Sequence, residues 1–199
     1  IIGHPGYDSW KPTSIHKDTS CVLLALTGPE HMFIQGHQIS NIIKFENHLE
    51  EICKIVTAMK KKLIIKIHPS FHVFDFTEMI KKISSDIEVI SGGSIMELIN
   101  SCDVMIATNY TTAILESYLL QKPVICLPII DYNLGTPTLF DFNAETNISI
   151  EKLQMTLEKI LHDKNFKNKT IQRQNEFVEN YLANYGSSSK KLLEYIETM

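Results

Sequence analysis

The chain has 199 residues, 44% of them apolar and 21% charged, a composition typical of a globular chain that buries one sizeable core. A formal net charge of −4, with eight scattered histidines, leaves no basic face to neutralise a phosphate backbone, so no nucleic acid partner is expected. Cys21, Cys53, Cys102 and Cys126 lie in or beside apolar runs and form no C-x-x-C pair, which suits free thiols in the cytoplasm.

No signal-peptide core and no apolar stretch long enough to cross a bilayer is present. The chain does not begin with Met, so that absence carries little weight.

From Cys21 onward short apolar runs alternate with helical patterns, the mark of a parallel sheet covered by helices. Residues 21–27 form a near-continuous apolar run, as a strand buried on both faces requires. A helix is predicted over 47–62, where Leu49, Ile52, Cys53, Val56 and Met59 recur at helical spacing. Lys60, Lys61 and Lys62 close it, complementing the helix dipole rather than attracting a membrane.

A second strand over 63–67 stops at His68-Pro69, since proline has no N–H for a ladder. A short helix over 77–83 and a third strand over 87–90 follow. Ser91, Gly92 and Gly93 make a turn, and Ser94 with Glu97 reads as a capping box opening a helix that ends near Cys102. Then come a strand over 104–108, a helix over 111–121 and a strand over 123–127.

Between residues 128 and 147 the periodicity disappears, and Gly135, Pro137, Phe140 and Phe142 suggest a shaped loop. Residues 147–150 are predicted as a sixth short strand, followed by a helix over 151–162 and two further helical patterns split at Tyr185-Gly186-Ser187. The fold expected is α/β, a doubly wound parallel Rossmann-like sheet of order 3-2-1-4-5-6 with C-terminal helices packed back against it. Residues 1–20 read as a lead-in linker, 21–164 as the nucleotide-binding domain and 165–199 as helices packed on that same domain.

In such a sheet, ligands bind outside the carboxyl ends of the strands, which singles out the residues that follow each one. Thr108, Asn109, Tyr110, Thr111 and Thr112 form a hydroxyl-rich turn at a helix start, where free N–H groups and the positive dipole end favour a phosphate. Such residues also serve simply as helix caps. Glu116 lies one to two turns into the same helix among apolar neighbours, where a carboxylate can accept both ribose hydroxyls or merely occupy an exposed position.

His68, directly after a buried strand, is a candidate to donate to a phosphate or pass a proton to a leaving group; otherwise it bonds a loop carbonyl. Gly28 follows the first strand in the same way. His68 and His72 mimic a metal-ligand spacing, but Pro69 argues against their sharing a helix, so no metal is expected. His31 and His37 read as loop histidines, and the glycines form no G-x-G-x-x-G signature of a nicotinamide dinucleotide site.

Taken together these segments resemble the C-terminal domain of GT-B enzymes of surface-polysaccharide and teichoic-acid synthesis, such as CDP-glycerol glycerophosphotransferases and capsule transferases. Gly3-His4-Pro5-Gly6-Tyr7-Asp8 resembles their G-x-P-x-x-D segment, and Lys66-Ile67-His68-Pro69 their K-x-H-P motif. Thr108 through Thr112 resembles their T-D-Y-S-S turn, with Asn109 in place of the acid, which leaves the donor open. Glu116 falls where the family places an acid, six positions before a basic residue and proline, here Lys122-Pro123. Tyr181 through Ser189 and the final helix resemble the family's tail.

The resemblance implies a transferase half that binds a UDP-, CMP- or CDP-linked sugar or polyol phosphate as substrate, with no resident cofactor. Its N-terminal acceptor domain would lie outside this chain, leaving the chain inactive alone. The full-length enzyme would be cytoplasmic, with peripheral association at the inner face of the membrane. By that resemblance Glu116 would bind ribose, and Gly28 and residues 108–112 the donor phosphates. His68 would stabilise the leaving phosphate. Two alternatives stand beside it. One is a half of a UDP-N-acetylglucosamine 2-epimerase-like enzyme, less favoured because Leu115-Glu116 stands where paired glutamates are expected. The other is a non-catalytic module that senses a nucleotide or sugar phosphate.

Overall fold

The computed structural model describes residues 1–13, 21–27, 38–68, 76–129 and 137–198, with backbone alone at 38 and 39. Five parallel strands form one sheet: β1 (Cys21–Leu26), β2 (Lys62–Ile67), β3 (Glu88–Ile90), β4 (Val104–Thr108) and β5 (Val124–Leu127). Their order is β3-β2-β1-β4-β5. Every residue of β1, β4 and β5 is buried, as expected for strands covered on both faces.

The helices are α1 (Gln38–Ala58), α2 (Thr77–Ile83), α3 (Ile95–Ser101), α4 (Thr112–Leu119), α5 (Leu153–His162), α6 (Lys164–Tyr181) and α7 (Ser188–Glu197). Side chains alternate along each strand, so each supplies both faces of the sheet. Val22, Leu24, Leu63, Ile65, Val104 and Ile106 pack with Phe45, Leu49 and Ile52 of α1, Ile80 of α2 and Leu153 and Leu157 of α5. Leu23, Ala25, Ile64, Met105 and Ala107 face the other way, onto Ile99 of α3, Ile114 and Tyr118 of α4 and Val178 of α6. The doubly wound architecture read from the sequence is therefore the one observed.

Three expectations need correction. The sixth strand is a single parallel bridge between Asn147 and Cys126, because 3-10 turns at Ala144–Thr146 and Ile150–Lys152 draw the chain out of the ladder on both sides. The helix expected over 47–62 starts at Gln38 and ends at Ala58, where Lys60 takes a left-handed φ of 54° and turns the chain into β2. Lys62 accordingly opens β2 and pairs with Glu88 of β3 at 2.9 Å. At α3, Ser94 has the extended backbone of an N-cap but makes no side-chain capping bond.

The N-terminal segment is tied to the C-terminal turn. Asn184 Nδ2 donates to the carbonyls of Ile1 and Ile2, and the Tyr185 hydroxyl donates to the Trp10 carbonyl. Gly3 sits at φ 95°, and a Cβ there would collide with the Ala183 carbonyl and the Ser188 hydroxyl. Asp8 caps α7, its two oxygens accepting from the Ser188 and Ser189 amides at 3.0 and 2.6 Å. Hydrogen bonding from the Ser189 side chain first, then from the Ser189 and Ser188 amides, lowers its carboxyl pKa to about 2, well below the ordinary value. Among the described residues no helix is long and apolar enough to cross a membrane.

Candidate functional site

A cleft of ≈ 210 Å³ opens at the carboxyl ends of β1 and β2, beneath the starts of α3 and α4. It sits where the chain order reverses, since β1 is flanked by β2 on one side and β4 on the other. Thr27 closes it after β1, Lys66 and Ile67 at the end of β2, and His68 directly after that strand. Gly93 and Ile95 come from the start of α3, and Thr111, Thr112, Ala113 and Glu116 from the first turns of α4.

The chain thus brings together four residues singled out from sequence, His68, Thr111, Thr112 and Glu116, although 48 positions separate the first from the last. The reason is strand parity. Ile64, Lys66 and His68 are two residues apart, so Lys66 and the residue following β2 share the α3 and α4 side with Ile64. Thr112 and Glu116 are four apart and lie on one face of α4. Thr111 caps α4 from an extended backbone, its Oγ1 accepting from the Ala113 amide at a long 3.5 Å.

Glu116 is half-buried, and burial raises its carboxyl pKa above the ordinary value. Among the described residues no cation or donor pairs with it; its charge does reach Tyr7, whose phenol burial first and Glu116 second push up. His68 is exposed, and its amide donates to the Leu26 carbonyl at 3.3 Å, continuing the ladder one residue past the strand.

Thr108, Asn109 and Tyr110, expected from the sequence to hold phosphate with Thr111 and Thr112, do not line the cleft and lie behind it. Thr108 is fully buried, and its hydroxyl accepts from the Thr27 amide at 3.0 Å and lies 3.3 Å from the Thr27 carbonyl, joining the ends of β4 and β1. Asn109 is buried at φ 64°, a conformation asparagine tolerates, and its Oδ1 accepts from the Ile129 amide at 2.9 Å. The Tyr110 ring packs on Phe140 with centroids 5.5 Å apart. Gly28, Pro69, His72, His31 and His37 lie outside the described residues.

Lys66, Thr27, Gly93 and Ile95 also line the cleft, without having been given a role from the sequence. Thr27 and Gly93 fall in segments that follow strands, and Lys66, the second charge of β2 after Lys62, opens the K-x-H-P segment. It is 7% exposed, and its Nζ donates to the Ser91 carbonyl at 2.7 Å and the Ile67 carbonyl at 3.4 Å. Lys122, of the basic-residue and proline pair, lies elsewhere: its Nζ donates to the Cys102 carbonyl at the end of α3 at 2.9 Å. No group of three or more His, Cys, Asp or Glu placed to hold a metal occurs among the described residues.

By sequence, no family model matches the chain and no curated protein matches it. Solved structures do match it. TarM of S. aureus, in complex with fondaparinux, alpha-GlcNAc-glycerol and UDP, superposes over 92% of this chain with a TM-score of 0.59 at 11% identity. A UDP-N-acetylglucosamine 2-epimerase superposes over 98% with a TM-score of 0.58 at 14% identity. The wall teichoic acid polymerase TagF, soaked with CDPG, superposes over 93% with a TM-score of 0.50 at 12% identity.

The chain has the Rossmann-like fold of GT-B glycosyltransferases and these epimerases. It spans 36%, 50% and 42% of those three chains respectively, so it corresponds to half of each or less.

Proposed function

We propose that this chain is the donor-binding half of a GT-B-type transferase that moves a sugar or polyol phosphate from a nucleotide carrier in surface carbohydrate synthesis. The observation that carries the reading is the gathering of His68, Thr111, Thr112 and Glu116 around one cleft at the switch point of the sheet. The matched structures add support, since one holds UDP and another was soaked with CDPG.

Each residue has a chemical task in this reading. The amides at the start of α4 and the positive end of its dipole attract the donor phosphates. The Glu116 carboxylate, without a protein partner among the described residues, accepts the ribose hydroxyls. In the transfer an acceptor oxygen forms the new bond and gives its proton to a base, which we assign to an N-terminal domain outside this chain. The bond from the transferred group to the nucleotide's phosphate oxygen breaks, and the charge left on that phosphate develops beside His68 and α4.

The donor is a substrate, and the reaction so written calls for no resident cofactor. We place the enzyme in the cytoplasm, where the four buried free thiols stay reduced. Calorimetric titration of UDP, CMP and CDP tests the reading. One of them should bind with a Kd on the order of 1 mM, since half a cleft supplies half the contacts, and Glu116→Ala should weaken it about tenfold or more. A chain that binds none of the three at several millimolar, or a Glu116→Ala variant that melts early with unchanged affinity, contradicts it.

A further inference from the structure

A second concavity lies at the opposite end of the sheet, and the transferase reading leaves it unused. This groove of ≈ 530 Å³ opens where α1 runs into β2 and α2 into β3. Lys60, Lys61 and Lys62 line it together with Thr57, Ser84 and Asp86. The three lysines were expected to complement the dipole of α1, yet no basic residue falls in the last turn of that helix. They follow it and face the groove instead. Lys62 precedes Lys66 by four residues along β2, about 13 Å at the rise of a parallel strand, so groove and donor cleft are separate places.

Most of the positive charge in the groove is unmatched. Lys62 is paired with Glu88 at 2.9 Å, but among the described residues no carboxylate pairs with Lys60 or Lys61, and Asp86 forms no ion pair with any of the three. A fourth ammonium stands beside them, since Lys81 Nζ donates to the carbonyls of Ser85 and of Ile87, which lines the groove. Lys60 sits at φ 54°, where glycine fits freely and a lysine does not. The Lys60 and Lys61 amides bond back to the Thr57 and Val56 carbonyls at 2.9 and 3.3 Å, which fixes the roots of both side chains. Ser84 Oγ accepts from the Asp86 amide at 3.2 Å and keeps its own proton to give.

We propose that this groove is a second anion site, made for a compact oligophosphate such as pyrophosphate or tripolyphosphate. Lysine ammoniums act on phosphate as point charges, and adjacent ones suit an anion whose own charges are as close together. The hydroxyls of Thr57 and Ser84 supply neutral donors to the same anion. No aromatic ring of the described residues lines the groove to hold a base, so affinity follows the number of phosphates and not the nucleoside. A membrane surface fits less well. The groove is concave, Asp86 stands within it, and none of the exposed large apolar side chains of the described residues lines it to enter a bilayer. The site stands independently of the nucleotide-donor reading, which concerns the other end of β2.

The experiment follows the amides of residues 60, 61 and 84 by chemical-shift mapping during titration with phosphate, pyrophosphate and tripolyphosphate at about 0.15 M salt. Wild type is compared with Lys60→Gly combined with Lys61→Gln, and with Lys190→Gln combined with Lys191→Gln, which removes the same charge from α7. The groove variant should melt near or above wild type, because glycine relieves the positive φ. Saturable shifts that tighten from phosphate to tripolyphosphate are expected in wild type. Tripolyphosphate affinity should fall by about tenfold or more in the groove variant and by less than about twofold in the α7 variant. No saturable shift at several millimolar tripolyphosphate, or equal losses in the two variants, overturns the proposal. So does binding to phosphatidylglycerol vesicles that depends on Lys60 and Lys61 without a response to tripolyphosphate, which would make the groove a membrane contact. The donor reading is judged at other amides: silence of Thr111 and Thr112 toward UDP and CDP sinks that reading alone, while shifts at residues 60 and 61 with tripolyphosphate sustain this one.

Discussion

Asp8 and Glu116 are both acids of short sequence motifs, and the structure treats them in opposite ways. The Asp8 carboxylate is fully engaged by the protein: both oxygens accept amides of α7, and its pKa falls to about 2. The Glu116 carboxylate has no partner among the described residues, and burial drives its pKa upward. The first acid joins two ends of the chain, whereas the second is left open toward a cleft. Motif acids of equal prominence in sequence are thus told apart by where their lone pairs go.

That contrast can be broken most forcefully at the junction around Asp8. Gly3→Ala puts a methyl group against the Ala183 carbonyl and the Ser188 hydroxyl at a positive φ. The expected cost is about 2 kcal/mol, read as a fall of several degrees in melting temperature, with nucleotide affinity unchanged. Conversely, Glu116→Gln should weaken a bound nucleotide by about tenfold while melting at or above wild type, because removing a desolvated charge relieves the fold.

A smaller effect is expected behind the cleft. Thr108→Val removes a hydroxyl that bonds Thr27 and keeps the shape of the side chain. Stability should drop by about 1–2 kcal/mol, since the Thr27 amide loses its acceptor, and affinity should change by less than about threefold. A Thr108→Val variant of full stability with abolished nucleotide binding would return its hydroxyl to the phosphate site.

The pH dependence sharpens the contrast without large energies. A lowered folded pKa means that Asp8 supports the fold fully above its unfolded value of about 4 and loses that support as pH falls toward 2. Glu116 has the reverse sign: its raised pKa favours the fold when protonated, and a cost develops as pH rises through the carboxylate range. Melting scans between pH 2 and pH 7 should therefore show Asp8→Asn below wild type at neutral pH, with the gap closing near pH 2. Glu116→Gln should lie at or above wild type at neutral pH, converging with it below about pH 4.

The layering of this molecule was legible because its strands carry apolar side chains on both faces, a pattern that only a doubly covered parallel sheet requires. The first turns of α1 were not legible: Ile43 is half exposed there, so the apolar stripe begins only at Phe45. Residues 147–150 carry the apolar pattern of a strand, yet Asn147 forms one bridge and Ile150 begins a 3-10 turn.

Within the site, parity separates what was placed at the cleft from what was not. Thr108 follows Val104 and Ile106 onto the α1 side of the sheet, opposite Lys66 and His68. A list of hydroxyl-bearing residues could not show that. Lys66 was visible in the sequence as the first residue of the K-x-H-P segment, but that its ammonium is held by the Ser91 carbonyl is visible only in three dimensions.

The most direct test of the central claim is amide chemical-shift mapping of the chain during titration with UDP and with CDP. Saturable shifts at His68, Thr111, Thr112 and Glu116, with the amides of Ser188 and Ser189 unmoved, are the predicted result. Shifts confined to the lysines at residues 60–62, at the opposite end of β2, or no saturable shift at several millimolar nucleotide, would contradict it.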